Sequence, residues 1–328
     1  MKRILKLFPG IILLIILLVV GYLIVDATVN DYRPAPSEVL ECEGVSESEV
    51  LPDTLSVLIW NLGYAGLGSE MDFFYDGGKR VRPEERYFQV CKQGIMAWLR
   101  QQQDADFILL QEVDRVAKRS YHADQTDMIS SLFPGYCSLF ATNYQVKFVP
   151  VPLGRPMGKV HSGIMTMGKV APALAERVSL PGSFGWPKRL FMLDRCLLIS
   201  RYPLPKGKEL VLINLHNSAF DDTGELRRQE VGAIREIITR EYELGNYVIA
   251  GGDWNMNPPG FDPALIPNDS VFTIRHGLEE GFIPPQWQWV WDPKVPTNRD
   301  VSTSYTRGET GTTLIDFFLI SPNIELIR

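Results

Sequence analysis

The chain has 328 residues, 45% apolar, 22% charged and 11% aromatic, which excludes a disordered or low-complexity protein and leaves enough apolar surface to bury a core. The formal charge is -6, and three of the cations stand together at Lys2, Arg3 and Lys6, so bulk electrostatic attraction to nucleic acid is disfavoured for everything downstream. No self-similarity at solenoid periods is present, and Cys42, Cys91, Cys137 and Cys196 are far apart with no CxxC pair, which argues against a zinc site or a dense disulfide framework and leaves open whether any of them pair.

The three basic residues precede Leu7 to Val25, 19 residues without a charge, close to the ~20 that a helix needs to cross a bilayer. Positive charge before the run and Asp26, Asn30 and Asp31 after it predict a single-pass anchor with a cytoplasmic N-terminus and the remainder exported to the outer side of the cell membrane. A cleaved signal peptide is the rival reading; its apolar core is usually ~7–15 residues, and only Val25-Asp26-Ala27 loosely offers a cleavage site. No later segment is long and apolar enough to span again. Residues 26–54 are rich in acid, Pro and Ser and read as a tether, and the folded domain is expected over 55–328.

From there β-type runs alternate with helical stretches, the pattern of an α/β or α+β domain. Strands are predicted over 55–61, 106–113, 210–217, 246–255 and 314–321, and helices over 87–102 and 225–244, where apolar residues recur at helical spacing. Most of the strands finish on groups that bind cations or handle protons: Asn61, Gln111-Glu112, His216-Asn217, and Asp253 with Asn255, while Asp316 lies within the last. Each has a plain alternative. An Asp or Asn after a strand is a common turn former, Glu112 can pair with Arg115 on the surface, and a lone His is more often a hydrogen-bonded imidazole than a catalyst. Taken together they are oxygen donors and imidazole with no thiol near, which suits magnesium rather than zinc. A zinc hydrolase built on Asp253, His216 and His161 is poorly supported, because no H-E-x-x-H or similar spacing occurs.

Two local features carry further weight. In VIAGGDWNMNP, Gly251-Gly252 permit close backbone approach, and Asp253 and Asn255 fall on one side of an extended segment, where an acid and an amide can position one water. In FILLQEVD, Glu112 closes a core strand, where a carboxylate is costly unless it meets a cation or donors. The Gly-rich stretch after Asn61 carries Lys79, Arg80 and Arg82, either beside an anionic substrate or merely solvated. Trp287, Trp289 and Trp291 recur at period two, a pattern that serves base stacking, a membrane interface or simply one core-facing side of a strand.

The ordered set IWN (59–61), LLQEVD (109–114), INLHN (213–217), GGDWNMNP (251–258) and IDFFLIS (315–321) resembles the endonuclease/exonuclease/phosphatase superfamily, the deoxyribonuclease-I-like fold, over about residues 55 to 321. The resemblance implies a four-layer sandwich of two central mixed β-sheets flanked by helices, and magnesium-dependent (or manganese-dependent) hydrolysis of a phosphodiester or phosphomonoester. It also implies that Glu112 holds the metal with Asn61 beside it, that Asp253 and Asn255 position or activate the attacking water, and that His216 hydrogen-bonds a phosphate oxygen. Asp316 would orient a second histidine, and Arg195 stands where family members often carry an arginine, although a solvated strand-edge charge fits it equally. Trp254 replaces the usual Phe and Asn217 follows His216 where Leu is common. The family's closing Ser-Asp-His-type motif does not follow the Asp316 strand before Arg328, and His161 and His276, the remaining histidine candidates, fall out of order. Two readings follow: an anchored extracytoplasmic phosphoesterase acting on nucleic acid, a lipid head group or a small phosphate ester, with the chain lacking its C-terminal end, or a non-catalytic membrane-tethered binding module that keeps the fold. No protein partner can be inferred.

Overall fold

The computed structural model describes residues 2–44, 46, 50–219, 221, 223–266 and 277–327. The chain opens with helix α1 (Lys2–Val29), within which Pro9–Val29 has a mean hydropathy of 2.8 and is solvent-facing along its length, so it is long and apolar enough to cross a membrane. The remaining elements are β1 (Ser37–Val39), β2 (Val57–Asn61), α2 (Glu85–Leu99), β3 (Phe107–Asp114), α3 (Gln125–Ser130), β4 (Cys137–Val149), β5 (Gly158–Gly168), β6 (Leu174–Ser179), β7 (Cys196–Leu204), β8 (Lys208–His216), α4 (Glu225–Glu243), β9 (Tyr247–Asp253), β10 (Gln288–Val290), β11 (Asn298–Arg299), β12 (Thr312–Thr313) and β13 (Asp316–Ile320).

These strands form a four-stranded sheet, β2-β3-β5-β4, and a seven-stranded sheet, β1-β6-β7-β8-β9-β13-β10, with β11 and β12 as a separate ribbon. Both main sheets are mixed: β2 runs parallel to β3 and β8 parallel to β9, while the other pairings are antiparallel. Strand alternation explains how they stack. Phe107 and Leu109 of β3 meet Leu210 and Leu212 of β8, Ile249 of β9 and Ile320 of β13 between the sheets. The opposite faces are covered by helices: Val211, Ile213 and Leu215 pack on Val231, Ile234 and Ile238 of α4, and Ile108 and Leu110 pack with Leu99 of α2 and Ile129 of α3. The result is the four-layer sandwich that the family resemblance implies.

A buried polar bridge joins β3 of one sheet to β8 of the other. Gln111 Nε2 donates to Asn214 Oδ1 at 2.8 Å, and Asn214 Nδ2 donates to the Met165 carbonyl at 2.9 Å. Both side chains are fully buried, and the pairing satisfies the Gln111 amide N–H group and the Asn214 side chain, while among the described residues Gln111 Oε1 has no hydrogen-bond partner.

The segment read as a tether is in large part built into the domain. β1 pairs with β6 at the edge of the larger sheet, Cys42 is disulfide-bonded to Cys137 at the start of β4, and Lys147 Nζ lies 2.6 Å from Asp26 Oδ1. Composition missed this because an edge strand needs only three residues and backbone hydrogen bonds, not an apolar run.

Candidate active site

Along each of β2, β8, β9 and β13, the positions facing the other sheet are mostly apolar until the end that opens on the site. Val57 and Ile59 lead to Asn61, Leu210 and Leu212 to Asn214 and His216, Tyr247 and Ile249 to Asp253, and Ile320 and Phe318 run back to Asp316. Pairing aligns the polar ends: His216 and Asp316 are both register partners of Asp253, on either side of it. Asn61 reaches across between the sheets, its Nδ2 donating to Asp253 Oδ2 at 2.8 Å and to Glu112 Oε1 at 3.2 Å, while its Oδ1 accepts from the Gly63 N–H at 2.9 Å. Asn61, Glu112, His216, Asp253, Asn255 and Asp316 line one cleft of about 830 Å³.

Backbone departures set this geometry. The β3–β5 register breaks between Leu110 and Val113, and Glu112 sits inside that bulge at φ +51°. The extra residue keeps Gln111 between the sheets and Val113 in the helix-side core, which frees Glu112 from the ladder to face the cleft. A glutamate in the left-handed region is strained, and strain of this kind gathers at functional sites. Gly251 and Gly252 are required for clearance: a Cβ at Gly251 would fall 2.4 Å from the Phe318 ring, and one at Gly252, where φ is +143°, 2.1 Å from the Leu215 carbonyl oxygen. Asn255 is not extended as expected but left-handed, with φ +50°. Its N–H donates to Asp253 Oδ1 at 2.8 Å and its Nδ2 to the Asn217 carbonyl at 2.8 Å, so the acid and amide are held by a local turn.

The electrostatics follow from burial. Asp253 is only 3% exposed and burial pushes its carboxyl up to about 6, against the hydrogen bonds from Asn61 and the Asn255 N–H. Burial and then the Asp253 charge hold Asp316 well above the usual carboxylate range, and Thr297 Oγ1 accepts from the Asp316 N–H at 3.1 Å. Burial, with Arg195 and Arg119 nearby, drives His216 well below its ordinary value and keeps the imidazole neutral; its Nε2 stands 3.6 Å from Asp253 Oδ2, beyond hydrogen-bond length. Among the described residues, His216 Nδ1, Asp316 Oδ1 and Arg195 Nη1 are all buried without a hydrogen-bond partner. Each such group costs about 1–3 kcal/mol, so the cleft is shaped for polar groups that come from elsewhere.

Arg195 is 8% exposed and lines the cleft, with Glu230, Glu112 and Asp253 as its charged neighbours; it is not a solvated edge residue. Lys79, Arg80 and Arg82 do not line the cleft. Arg80 is paired with Asp72 at 3.2 Å, and Arg82 donates to the Lys118 carbonyl and lies over the Tyr121 ring. Arg115 pairs with Glu43 rather than Glu112. His161 is half-buried beside Thr142 Oγ1 at 3.1 Å, outside the cleft, and His276 lies outside the described residues. The three tryptophans join the core under α4, with Trp289 5.7 Å from Trp254, which itself stacks on Phe317.

The structure adds cleft residues with no motif of their own. Arg119 makes a bidentate pair with Asp114 at 2.8 and 3.1 Å, donates to Ser162 Oγ and stacks on the Tyr64 ring at 3.8 Å, all at 6% exposure. Gln125 ties the same corner together, accepting from the Asp114 N–H and donating to the Tyr64 carbonyl at 2.7 Å. An acid at the end of a buried strand, Asp114, was the available clue that a cation had to be near. Among the described residues, no group of three or more His, Cys, Asp or Glu is placed to hold a metal ion unaided.

The model of the Endonuclease/Exonuclease/phosphatase family matches residues 59–328. The chain belongs to the Endonuclease/Exonuclease/phosphatase family. Members of this family are generally phosphoester hydrolases and commonly use divalent metals, so the cleft sits in a phosphoesterase-type fold. Among solved structures, the endonuclease/exonuclease/phosphatase from Beutenbergia cavernae DSM 12333 is similar at 18% identity and a TM-score of 0.56, covering 84% of this chain and 66% of that one. D. rerio TDP2 complexed with single strand DNA product is 15% identical over 82% of this chain and 84% of that one, with a TM-score of 0.46. ANGEL2, a 2',3'-cyclic phosphatase, is 15% identical over 82% of each chain, with a TM-score of 0.43. No curated protein matches the sequence.

Proposed function

We propose that this chain is a membrane-anchored, extracytoplasmic phosphoesterase that works with a divalent cation. The observation that carries the reading is the meeting of Asn61, Glu112, His216, Asp253, Asn255 and Asp316, from widely separated parts of the sequence, in one cleft. Their chemistry fits a hard cation: Glu112 would hold magnesium, with Asn61 beside it tying the Glu112 and Asp253 carboxylates together. Magnesium usually takes one or two carboxylates and completes its shell with water and substrate phosphate, so two protein ligands suffice, and manganese suits the same donors. When bound, the ion supplies neutralisation of charge on the phosphoryl oxygens. Asp253, with Asn255 fixing its orientation, positions the attacking water, and neutral His216 donates to a phosphoryl oxygen. The unpartnered Nη1 of Arg195 receives charge that develops on the same group, and Asp316 orients its neighbours from the adjacent strand.

The position of the domain outside the cell rests on Lys2, Arg3 and Lys6 before the apolar helix and on the Cys42–Cys137 disulfide, a bond that persists in oxidising compartments. Hydrolysis of bis-p-nitrophenyl phosphate tests the activity. It is expected to require magnesium, to stop with EDTA, and to fall by about 10²–10³-fold in Asp253→Ala. Equal rates with and without EDTA would overturn the cation assignment, and no hydrolysis by folded protein with magnesium would leave the binding-module reading in its place.

A further inference from the structure

Strands β4 and β5 are joined by a tip, residues 150–157, with the sequence PVPLGRPM. Leu153 is 92% exposed, and Val151 and Phe148 beside it are exposed too. A single exposed leucine is ordinary; the place of this one beside α1 is not. Just past the end of α1, Tyr32 lies under the Arg177 guanidinium, which donates to the Thr142 carbonyl of β4 at 2.7 Å, and further back along the chain Asp26 meets Lys147 at 2.6 Å. From Thr142 to Lys147, therefore, β4 runs toward the apolar part of α1. At ~3.3 Å per residue the continuation from Lys147 to Leu153 spans up to ~20 Å, which sets the tip alongside the uncharged turns that precede Asp26. A second segment ends at the same place. Arg189 pairs with Asp31 at 3.6 Å, and Trp186, exposed just before the Lys188–Phe191 turn, stands beside the end of α1, the level at which tryptophan is favoured in membrane proteins.

The chemistry of both segments suits a bilayer surface. No Asp or Glu occurs over 147–159 or 181–189, which hold Lys147, Arg155, Lys159, Lys188 and Arg189 in a chain of formal charge -6. Lys147 and Arg189 are met by the acids that follow the apolar run, and no salt bridge to Arg155, Lys159 or Lys188 is present among the described residues. Backbone polarity in the tip is contained as well: Pro150, Pro152 and Pro156 carry no N–H, and the N–H groups of Arg155 and Met157 donate to the Pro152 and Val151 carbonyls at 3.1 and 3.0 Å. We propose, resting on the membrane-anchor reading above, that the β4–β5 tip dips Val151 and Leu153 into the bilayer that α1 crosses, with Arg155 and Lys159 against anionic lipid head groups. The domain is then docked on the membrane rather than hung from it. A tip of this size is one weak membrane signal, and α1 supplies the stronger one. Met157 of the tip and Met192 after the Lys188–Phe191 turn also line the cleft, so docking holds one rim of the cleft at head-group level.

The test places a nitroxide on the full chain in nanodiscs of mixed phosphatidylcholine and phosphatidylglycerol, one label at a time at Leu153→Cys, Leu14→Cys or Leu244→Cys, with Cys91→Ser removing the half-exposed free thiol. Leu244 ends α4, whose first turn is the part that lies near Gly182, so it reports a surface remote from the docked segments. Collision with oxygen reports lipid and collision with a water-soluble nickel complex reports water. The labels at Leu14 and Leu153 should favour oxygen and that at Leu244 nickel, and Arg155→Glu/Lys159→Glu should lower the docked fraction read at Leu153 by at least about fivefold. A Leu153 label that behaves like Leu244 while Leu14 reports lipid overturns this inference alone. A Leu14 label in water overturns the anchor reading and this inference with it. Charge reversal without effect on the Leu153 label overturns the assignment of Arg155 and Lys159 to anionic head groups.

Discussion

At Glu112 the chain accepts a backbone conformation that glycine would adopt more readily, and the gain is a carboxylate facing the cleft from the middle of a core strand. The strain is testable apart from activity. Glu112→Gly should be more stable than Glu112→Ala by about 1 kcal/mol in urea unfolding, because alanine keeps the left-handed penalty and glycine does not. Gly252 sits at the reverse limit, where any side chain meets the Leu215 carbonyl, so Gly252→Ala should lose about 1–3 kcal/mol. Arg119 is the third case. Arg119→Ala leaves Asp114 charged, fully buried and unpaired, and should cost about 3–5 kcal/mol, read as a lowered midpoint of unfolding. Of the cleft residues, those at strand ends were legible because a polar side chain interrupts an apolar alternation at a fixed parity, as at Asn61, His216 and Asp253. Arg119 and Tyr64 were not, since their roles arise from contacts between distant segments and leave no periodic trace. The left-handed turn at Asn255 was also hidden, because spacing by two reads as extended backbone until φ is known.

At the scale of elements, the apolar runs of β2, β3, β8, β9 and β13 and the amphipathic pattern of α2 and α4 are legible as strands and helices from periodicity, whereas their four-layer arrangement is what the family resemblance implies. The structure ends β8 at His216 and β9 at Asp253, short of the predicted 217 and 255, where Asn255 Nδ2 donates to the Asn217 carbonyl instead of continuing the ladder. The edge strand β1 escaped notice inside a stretch rich in acid, Pro and Ser, and its attachment is covalent as well as hydrogen-bonded. The Cys42–Cys137 link spans 95 residues of sequence, and constraining so long a loop in the unfolded chain stabilises the fold by about 2–4 kcal/mol. Cys42→Ser should therefore lower the midpoint of thermal unfolding by several degrees, and reduction of the wild type should lower it equally, whereas reduction of the variant should change nothing further.

For the whole molecule, an apolar helix of 28 residues leads into an acidic α/β body whose site lies between two sheets. The helix is exposed along its apolar length and packs little against the body, as a membrane anchor requires. Full-length protein should float with membranes and resist extraction by salt or carbonate, while a chain starting at Asp31 should be recovered in the soluble fraction. Protease added outside intact cells should reach the domain.

The central claim is that distant residues converge to bind a hard cation at Glu112, and manganese titration followed by electron paramagnetic resonance tests it most directly. Addition of protein should remove the six-line signal of free Mn²⁺ at about one ion per chain, with magnesium competing, and folded Glu112→Gln should leave that signal undiminished. Wild type and Glu112→Gln taking up manganese equally, or neither taking it up, would contradict the account.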